Sequence, residues 1–576
     1  MRKLYLILAG CVAAAPAAQK PIVKYLHVPV AMRDGVRLSA NVFLASERGR
    51  VPAILVRTPY GKGADITANY QAFVDHGYAI VVQDVRGRYE SEGAFQPLTQ
   101  EVQDGDDTLN WIARQPWSDG KIGMMGGSYL GIVQWKAALA NNPHLKAIFP
   151  VVSGYDDYRD RYYSTGGAVK LGNRLEWMAE NLRAPGYHHD FSQFVLHLPV
   201  RSADVAALGW ASPMYREVME HPAFDEFWRA ISTREQLDKV RVPVFSVGGW
   251  YDNFVQSDLE AFAALRKRSG VNRVLVGPWA HNMSAPFENV SFGANASVPV
   301  RALQMEWFDQ WLMGKDSPLL SKPPVKIFMM GSNLWREERE WPPAEGRQKI
   351  LYLESAGKAN SLAGDGALGE KPARKPATDQ FVFDPYTPAP TRGGAVCCNP
   401  KIFPWGPMDQ RPVEQRKDVL VYTTKPLKRD LEALGRVQAV LYVASSARDT
   451  DFTAKLVDVF PDGGARNLTD GILRLRYRNS LEKPELAVPG EIYRVTVDAG
   501  VTGNVFLKGH RIRLEISSSN FPRFDRNLNT GGNNYDETEG VVAHNEVHHS
   551  RQYPSQVTVS VVKHGAAEGT RSAAQR

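Results

Sequence analysis

The sequence is short of cysteine. Its 576 residues include only three, too few for a disulfide framework. Cys11 lies near the N-terminus, whereas Cys397 and Cys398 are adjacent, so none has the spacing of a zinc-binding pair. The adjacent pair follows Gly393-Gly394 in a predicted loop, and three alternatives stay open for it: a vicinal disulfide formed after export, two thiols facing a pocket, or an inert loop pair.

A strong excess of charge of one sign is also missing. The 69 basic and 62 acidic residues leave a net charge of +7, and no long run of lysine or arginine occurs. These features argue against nucleic acid as a partner. With 43% hydrophobic and 23% charged residues, the composition is that of a globular protein and excludes a wholly disordered or fibrous chain.

No apolar run after the first twenty residues is long enough to span a bilayer. The N-terminus instead has the pattern of an export signal, with Arg2 and Lys3 followed by 15 uncharged residues. Ala15-Pro16-Ala17 offers a cleavage site, and we predict residues 1–18 as a signal peptide. One alternative is that Leu8-Ala9-Gly10-Cys11 is a lipobox and Cys11 a lipid anchor, and another is a buried N-terminal strand.

Strand and helix patterns alternate in two regions, residues 20–155 and 234–348. Such alternation predicts a parallel sheet covered on both faces. Between them, residues 156–233 carry aromatic and charged residues at helical spacing, which predicts a helical insertion. An Arg33-Asp34-Gly35 turn predicts a hairpin near the start. The predicted strands lie at 53–56, 78–82, 122–125, 243–247 and 273–276, and the predicted helices at 71–76, 101–115 and 129–140.

The pattern changes in the last third of the chain. Residues 355–380 are rich in Gly, Ala, Lys and Pro and are predicted to form a loop or linker. Beyond them, apolar and polar residues alternate at 473–478 and 511–516, as in half-buried antiparallel strands. We therefore predict a β-sandwich over 349–565, followed by a disordered tail at 566–576.

The strongest chemical signal surrounds Ser128, in Gly126-Gly127-Ser128-Tyr129-Leu130-Gly131 between a short apolar strand and a helix. A nucleophile elbow needs small neighbours because its backbone turns sharply. The serine hydroxyl then lies at a helix N-terminus, where free N–H groups stabilise an oxyanion. The match is imperfect because the second glycine is Gly131 instead of residue 130, and a plain glycine-rich turn is the alternative.

Two further residues have the positions of catalytic partners. Asp252 follows the predicted strand at 243–247, and His281 follows the one at 273–276. In α/β-hydrolases the chain order is Ser, Asp, His, with the acid and the base each just after a strand. A capping or surface role would explain His281 alone, but three residues in this order after three strand ends predict a catalytic triad.

An oxyanion hole requires hydrogen-bond donors from a neighbouring loop. Tyr60 lies after the strand at 53–56, and a phenol stays protonated at working pH. The backbone N–H of Tyr129 would be the second donor. From the residues alone, a packed loop tyrosine is the competing interpretation of Tyr60.

A metal site has little support. Four residues near the C-terminus have ligand chemistry, but they precede the predicted strand at 556–562, and a solvated loop is the simpler interpretation. They are His544, Glu546, His548 and His549. We expect no metal and no cofactor.

Several motifs together carry a resemblance to the bacterial cocaine esterase / X-Pro dipeptidyl-peptidase family of serine hydrolases. It covers nearly everything after residue 22. Besides the Ser128 elbow, the motifs are Met32-Arg33-Asp34-Gly35-Val36, Arg57-Thr58-Pro59-Tyr60, Gln83-Asp84-Val85-Arg86-Gly87, Gln115-Pro116-Trp117, Gly249-Trp250-Tyr251-Asp252, Gly277-Pro278-Trp279-Ala280-His281, Asp451-Phe452-Thr453-Ala454-Lys455-Leu456 and Ser518-Ser519-Asn520-Phe521-Pro522.

The resemblance implies an α/β-hydrolase core with an inserted helical cap, followed by a C-terminal jelly roll. It implies that the Tyr60 hydroxyl belongs to the oxyanion hole, and that Tyr162, Trp177 and Phe254 line the substrate pocket, with Tyr162 replacing a tryptophan. Ordinary core packing is the alternative for each pocket residue.

The resemblance also implies what the pocket lacks. The α-amino-acid ester hydrolase branch binds the substrate's ammonium with three carboxylates. The matching positions here are Tyr162, Phe254 and Val255, so a free α-amine would have no acidic partner.

Taken together, the sequence predicts an exported serine hydrolase that cleaves carboxylic esters through an acyl-enzyme, with amides second. An X-Pro dipeptidyl-peptidase or acylase-type amide hydrolase is the alternative, and a catalytically dead glycan-binding protein is a remote one. The partner is a small-molecule ester or amide, with membrane contact only through a lipid at Cys11. The oligomeric state stays open, with a homodimer among the candidates.

Overall fold

The computed structural model describes residues 22–563 except 98, 286, 288 and 289. The predicted signal peptide, Cys11 and the predicted tail at 566–576 lie outside the described residues. Across the described part of the chain, none of the helices combines the length and the apolar character needed to traverse a bilayer.

The first sheet has ten strands in the order β1-β2-β4-β3-β5-β6-β7-β8-β9-β10. Neighbouring strands from β4 to β9 are parallel, while β1, β2 and β10 run antiparallel to their neighbours. The strands are β1 Val23–Ala31, β2 Arg37–Leu44, β3 Val51–Thr58, β4 Ala79–Asp84, β5 Ser118–Gly127, β6 Leu145–Val151, β7 Phe245–Tyr251, β8 Arg273–Ala280, β9 Val325–Met329 and β10 Leu334–Glu338.

Eleven α-helices lie in the described residues: α1 Ala68–Asp75, α2 Glu101–Ala113, α3 Tyr129–Leu139, α4 Leu171–Leu182, α5 Phe191–Phe194, α6 Ala203–Leu208, α7 Pro213–Glu220, α8 Glu226–Ile231, α9 Val255–Arg266, α10 Val300–Phe308 and α11 Arg411–Glu414. Shorter 3₁₀ turns occupy Val200–Ser202, Leu237–Lys239, Ala294–Ala296, Pro318–Ser321 and Leu475–Tyr477, and π-helical turns occupy Asp157–Tyr162 and Asp309–Met313.

Helices cover both faces of this sheet. In β3, Leu55 belongs to the same buried apolar cluster as residues of α2, α3 and α9, whereas its neighbour Ile54 belongs to a second cluster with residues of α1 and α10. Successive side chains of a strand point to opposite faces, so a strand buried on both sides must be apolar throughout. The predicted parallel sheet with two covered faces is confirmed.

A helical segment interrupts the sheet between β6 and β7. It contains α4 to α8 and the π-helical turn Asp157–Tyr162, and it holds none of the named strands. This is the segment for which the sequence predicts a helical insertion, and we call it the cap.

The C-terminal part is built from β-strands, with antiparallel pairing throughout except between β12 and β14. The predicted fold class, an α/β-hydrolase with a cap followed by an all-β domain, is confirmed. The strands are β11 Arg347–Glu354, β12 Ala367–Gly369, β13 Ala377–Phe383, β14 Leu420–Thr423, β15 Leu431–Ser445, β16 Asp451–Val459, β17 Ala465–Arg474, β18 Tyr493–Phe506, β19 Arg511–Ser517, β20 Ala543–His549 and β21 Gln556–Val562.

The prediction of half-buried strands is wrong for β19. Apart from the exposed Arg511, its polar residues are buried as well as its apolar ones. Arg513 reaches Glu414 of α11 at 2.6 Å, and Glu515 reaches Lys455 of β16 at 3.1 Å. Because these ion pairs neutralise the polar face, it packs against protein where the alternation suggests solvent.

Three local predictions also need correction. Leu475–Tyr477 forms a 3₁₀ turn after β17, so the alternation there marks the end of a strand. The supposed linker at 355–380 contains β12 and the start of β13, because backbone pairing with β11 and β20 outweighs its composition. Finally, His544, Glu546, His548 and His549 lie in strand β20, between β13 and β15, and not in a loop.

Candidate active site

The backbone at Ser128 is strained, with φ of 56° and ψ of −125° between the end of β5 and the start of α3. A Cβ on Gly126, whose φ is +141°, would lie 2.5 Å from the Cβ of Leu130. A Cβ on Gly131 would lie 2.5 Å from the Cβ of Ser153. Gly131, one position later than the G-x-S-x-G motif requires, is therefore needed for the close approach of α3 to the chain after β6. The backbone at Ser128 still has the geometry of a nucleophile elbow.

Asp252 and His281 follow β7 and β8 directly, at the same edge of the sheet as Ser128. His281 Nε2 lies 2.9 Å from Ser128 Oγ, and His281 Nδ1 lies 2.6 Å from Asp252 Oδ2. The structure thus brings together the three residues that the sequence places after three parallel strands. A serine hydroxyl that donates to a carboxylate-oriented imidazole has the arrangement of an activated nucleophile.

The environment of Asp252 holds its carboxylate in place. The residue is fully buried, and its Oδ1 accepts the backbone N–H of Phe254 at 3.0 Å. Asp258 lies nearby in α9, and burial together with the charge of Asp252 raises the pKa of Asp258 well above its usual range. The neutral form of Asp258 is favoured, which avoids a second negative charge beside Asp252.

Tyr60 lies in the loop after β3 with its hydroxyl near Ser128. The hydroxyl oxygen accepts a hydrogen bond from Trp177 Nε1 at 2.9 Å. Burial raises the pKa of Tyr60 above its ordinary value, so the phenol keeps its proton. Because Trp177 is a donor only, the Tyr60 O–H is free to donate to a substrate oxygen.

Tyr129 is the first residue of α3, so its backbone N–H has no acceptor within the helix. Its side chain has a separate, structural contact: the buried hydroxyl donates to Glu101 at 2.5 Å, and Glu101 pairs with Arg57 at 2.6 Å. The ring of Tyr129 stacks on Trp177 with 6.3 Å between centroids. The N–H of Tyr129 and the O–H of Tyr60 thus flank Ser128 as candidate oxyanion donors.

A cavity with about 570 Å³ of empty space opens in front of Ser128. All three predicted pocket residues line it: Tyr162 and Trp177 from the cap, and Phe254 from the loop after β7. The sequence analysis missed other lining residues. These are Pro97, Ile132, Arg161, Asn173, Arg174, Met214 and Asn253. Cys397 and Cys398, for which a position facing a pocket is one of the alternatives above, line the cavity as well.

A signal for two of the missed residues does exist in the sequence. Asn173 and Arg174 stand four and three residues before Trp177 on α4, so a helix that presents Trp177 presents them too. Arg161 lies in a π-helical turn, whose spacing an α-helical pattern does not reproduce.

Cys397 and Cys398 reach the cavity from the C-terminal domain. Their sulfurs are joined as a vicinal disulfide, so of the three alternatives the structure has the disulfide, and it faces the pocket. The backbone N–H of Cys398 donates to Glu176 of α4 at 2.7 Å. The C-terminal domain therefore forms part of the cavity wall.

The residues with metal-ligand chemistry in β20 have other contacts. His549 is buried and reaches Asp379 at 2.8 Å, and His548 reaches Glu546 at 3.1 Å. Over the described part of the chain, no group of three or more His, Cys, Asp or Glu side chains comes together as a metal site would require.

Comparison with known proteins finds relatives that match most of the chain. The family model described as X-Pro dipeptidyl-peptidase (S15 family) matches residues 34–283, and that of the X-Pro dipeptidyl-peptidase C-terminal non-catalytic domain matches residues 320–558. The cocaine esterase of Rhodococcus sp. (strain MB1 Bresler) is 40% identical over 568 residues, which cover 93% of this chain and 98% of that protein.

Solved structures show the same architecture over nearly all of the chain. An aminopeptidase from a marine sediment archaeon, Thaumarchaeota archaeon, has a TM-score of 0.82 at 25% identity and covers 96% of this chain and 99% of its own. An α-amino acid ester hydrolase has a TM-score of 0.81 at 26% identity, with coverages of 95% and 98%. The chain belongs to the cocaine esterase / X-Pro dipeptidyl-peptidase (S15) family of serine hydrolases.

Proposed function

We propose that this protein hydrolyses carboxylic esters through an acyl-enzyme formed on Ser128. The observation that carries the proposal is the hydrogen-bonded series from Ser128 Oγ to His281 Nε2 at 2.9 Å and from His281 Nδ1 to Asp252 Oδ2 at 2.6 Å. The sequence similarity to an esterase supports the same reaction type.

In the first step, Ser128 Oγ attacks the ester carbonyl carbon while His281 Nε2 takes the hydroxyl proton. Asp252 keeps Nδ1 protonated and stabilises the imidazolium that forms. The carbonyl oxygen becomes an oxyanion, and the Tyr60 O–H and the Tyr129 N–H donate to it. The C–O bond then breaks, and the departing alcohol takes the proton from His281.

In the second step, water attacks the acyl-enzyme by the same route. His281 removes a proton from the water as it adds to the acyl carbon, and the same oxyanion donors stabilise the second tetrahedral intermediate. When this intermediate collapses, Ser128 recovers its proton from His281 and the carboxylic acid is released.

The cavity lining favours an aromatic or otherwise bulky acyl group. Tyr162, Trp177 and Phe254 supply flat apolar surface beside Ser128. Among the residues that line the cavity in the described structure, none carries a carboxylate. A substrate with a free α-amine would therefore bury its ammonium unpaired, which argues against dipeptidyl-peptidase action on free N-termini.

The Ser128→Ala variant tests this proposal, with Ser297→Ala as the matched control at an exposed serine. Loss of the nucleophile is expected to lower kcat for 4-nitrophenyl benzoate by on the order of 10⁶ and to abolish fluorophosphonate labelling. Ser297→Ala should retain both. If Ser128→Ala keeps kcat within about tenfold of wild type, the mechanism is wrong. If wild type is neither labelled nor active on esters, the protein is a binding protein with an inactive core.

We also propose that the protein is exported by its first 18 residues. The proposal is supported by the Arg2-Lys3 pair, the uncharged run that follows and the Ala15-Pro16-Ala17 site. The mature N-terminus, measured by mass spectrometry after expression in a bacterium, distinguishes the forms. Cleavage near Ala17 supports a secreted protein, a diacylglyceryl mass on Cys11 supports a lipoprotein, and an intact N-terminus in the cytoplasm contradicts export.

A further inference from the structure

Two guanidinium groups line the cavity in front of Ser128. Arg161 comes from the π-helical turn of the cap and Arg174 from α4. Among the described residues that line the cavity, these two alone carry a charge. The other lining groups are aromatic, aliphatic, amide, hydroxyl, thioether or disulfide. The active-site cavity therefore has a positive wall.

Arg174 has no acidic partner. Its Nη2 donates to the backbone oxygen of Arg161 at 3.0 Å, and its guanidinium carbon lies 4.3 Å from the ring centre of Tyr162 and 5.5 Å from that of Trp177. Its Nε has no hydrogen-bond partner, and none of the described carboxylates forms an ion pair with it. Burial, and then the charge of Arg161, lower the pKa of Arg174, but a guanidinium stays charged at neutral pH.

The neighbours of Arg174 do not neutralise this charge. Arg161 pairs with Asp157 at 2.6 Å, but Lys136 also pairs with Asp157 at 2.6 Å, so one carboxylate serves two cations. Arg161 is 6% exposed, and its Nε has no partner. Asn173 Nδ2, in a residue 5% exposed, has none either.

Three residues that line one cavity thus each have a buried N–H donor without an acceptor in the described structure: Arg161 Nε, Asn173 Nδ2 and Arg174 Nε. Leaving a buried donor unpaired destabilises a protein, more so when the donor is charged. A pocket keeps such groups when a ligand supplies the acceptor, and a carboxylate pairs well with a guanidinium.

We infer that this wall binds a negatively charged group of the substrate, so that the enzyme acts on esters that carry a carboxylate in the acyl or the alcohol part. The inference rests on the proposed function and names its substrate class. Trp177 neighbours both groups: the Arg174 guanidinium carbon lies 5.5 Å from its ring centre, and its Nε1 lies 2.9 Å from the Tyr60 hydroxyl. The anion site therefore lies about one aromatic ring from the oxyanion donors. An aromatic ring between the ester and the carboxylate is therefore the fitting spacer.

The charge preference that we infer is opposite to that of an enzyme whose substrate is an α-amino acid ester. Such a substrate has an ammonium beside the ester carbonyl and needs an acidic pocket. Here the same cavity presents guanidinium groups, so an ammonium would be repelled as well as left unpaired.

Matched esters test the inference. In the first set the acyl group varies: 4-nitrophenyl hydrogen terephthalate is anionic, its methyl ester is neutral, and 4-nitrophenyl 4-(trimethylammonio)benzoate is cationic. In the second set the alcohol varies: 4-acetoxybenzoate is anionic and methyl 4-acetoxybenzoate neutral. Each kcat/KM is divided by the hydroxide-catalysed rate constant of the same ester, which removes differences in intrinsic reactivity.

Wild type is expected to prefer the anionic ester in at least one set by about 10- to 100-fold, the range for a hydrogen bond to a charged group. Arg174→Gln should abolish this preference, and Arg174→Lys should keep part of it. Arg478→Gln is the matched control, because Arg478 also stacks on a tyrosine, Tyr493, but lies in the C-terminal domain outside the cavity. Equal or better cleavage of the neutral esters by wild type overturns the inference.

A binding measurement separates this inference from the proposed function. In Ser128→Ala, which cannot turn over, monomethyl terephthalate and dimethyl terephthalate are titrated while the fluorescence of the tryptophans is followed. The anionic ester should bind at least about tenfold more tightly, and Arg174→Gln should remove the difference. Anion binding without turnover of any ester in wild type would retain the anion site and refute the esterase. Equal binding of the two ligands would refute the anion site.

Discussion

Tyr60 shows how one neighbour defines the role of a side chain. Trp177 Nε1 occupies an acceptor position of the phenol oxygen at 2.9 Å, and indole has no acceptor to offer in return. The Tyr60 proton is therefore available to the substrate oxygen, and its interaction strengthens only as negative charge develops there. A donor of this kind contributes to the transition state and little to the binding of the substrate.

The Tyr60→Phe variant is accordingly expected to lower kcat by about 10²–10³, the usual loss for one oxyanion donor, with KM within a few-fold. The ring stays, so the melting temperature should not change. Tyr89→Phe is the control, because Tyr89 is 64% exposed. Steady-state kinetics on 4-nitrophenyl benzoate measure the effect, and a near-normal kcat would mean that the oxyanion hole consists of backbone amides alone. A large fall in melting temperature would instead indicate that Tyr60 has a packing role.

Site residues can be predicted from the sequence where their order along the chain shows where they meet in the fold. Ser128, Asp252 and His281 each follow a strand of one parallel sheet, and such strand ends meet at a single edge. Arg161 and Arg174 are not predictable in this way. Helical spacing places Arg174 beside Trp177 once the resemblance has assigned Trp177 to the pocket. Nothing local in the sequence shows that the π-helical turn with Arg161 faces a cavity made by three separate parts of the chain.

At the scale of elements, α4 meets the loop that carries the vicinal disulfide. Glu176 of α4 is 1% exposed, and its Oε2 accepts the N–H of Cys398 at 2.7 Å. Its Oε1 has no partner. Burial, and to a lesser extent the charge of Glu180, raise the pKa of Glu176 to about 7. Burial between helix and loop therefore favours the protonated side chain, although the Cys398 N–H by itself lowers the pKa.

This pKa makes stability depend on pH. The folded state binds the proton of Glu176 more tightly than the unfolded state does. The stabilisation of the folded state that this proton provides is fully present below the ordinary pKa of 4.5 and is lost as pH rises towards about 7. Glu176→Gln mimics the protonated form and keeps an acceptor for Cys398. Its free energy of unfolding should match wild type near pH 4.5 and exceed it by about 3 kcal/mol at pH 8.

Chemical denaturation at the two pH values measures this difference. Glu226→Gln on α8 is the control, because Glu226 is 87% exposed and should show no such pH dependence. If Glu176→Gln is destabilised equally at both pH values, then the ionised carboxylate is the form that the fold uses.

Element-scale prediction fails where polar residues are buried in pairs. The alternation of apolar and polar residues in β19 predicts a solvated face. In β20 the histidines obscure the same alternation. Strand position in a sheet is set by long-range backbone pairing, which a local pattern does not report. The parallel strands of the first sheet are predicted better because burial on both faces leaves an apolar run that is visible in the sequence itself.

At the scale of the whole molecule, the C-terminal domain holds the cap in place. The Arg474 backbone N–H at the end of β17 donates to Gly166 of the cap at 2.9 Å. Asp525 accepts the N–H of Val169 at 2.8 Å. The motifs predict the three parts of the chain, but they do not predict these junctions, because each junction joins residues hundreds of positions apart.

Arg474 is the centre of this junction. It is 1% exposed and reaches both Asp451 and Asp525 at 3.0 Å, while its Nη1 donates to the Tyr535 hydroxyl at 3.0 Å. One cation thus balances two buried carboxylates, one of which also binds the cap. Removing it leaves both carboxylates uncompensated, which for a buried ion pair costs about 3–5 kcal/mol.

The Arg474→Met variant should therefore lower the free energy of unfolding by about 3–5 kcal/mol at pH 8. The loss should be smaller at pH 5, because burial already raises the pKa of Asp451 to about 6 with Arg474 present, and protonation relieves the charge when Arg474 is gone. Ester hydrolysis should weaken as well, since the cap carries Tyr162 and Trp177. Arg494→Met, at an exposed position of β18, is the control. Unfolding curves for Arg474→Met that match wild type at both pH values would show that the cap is held by its packing against the core and not by this buried network.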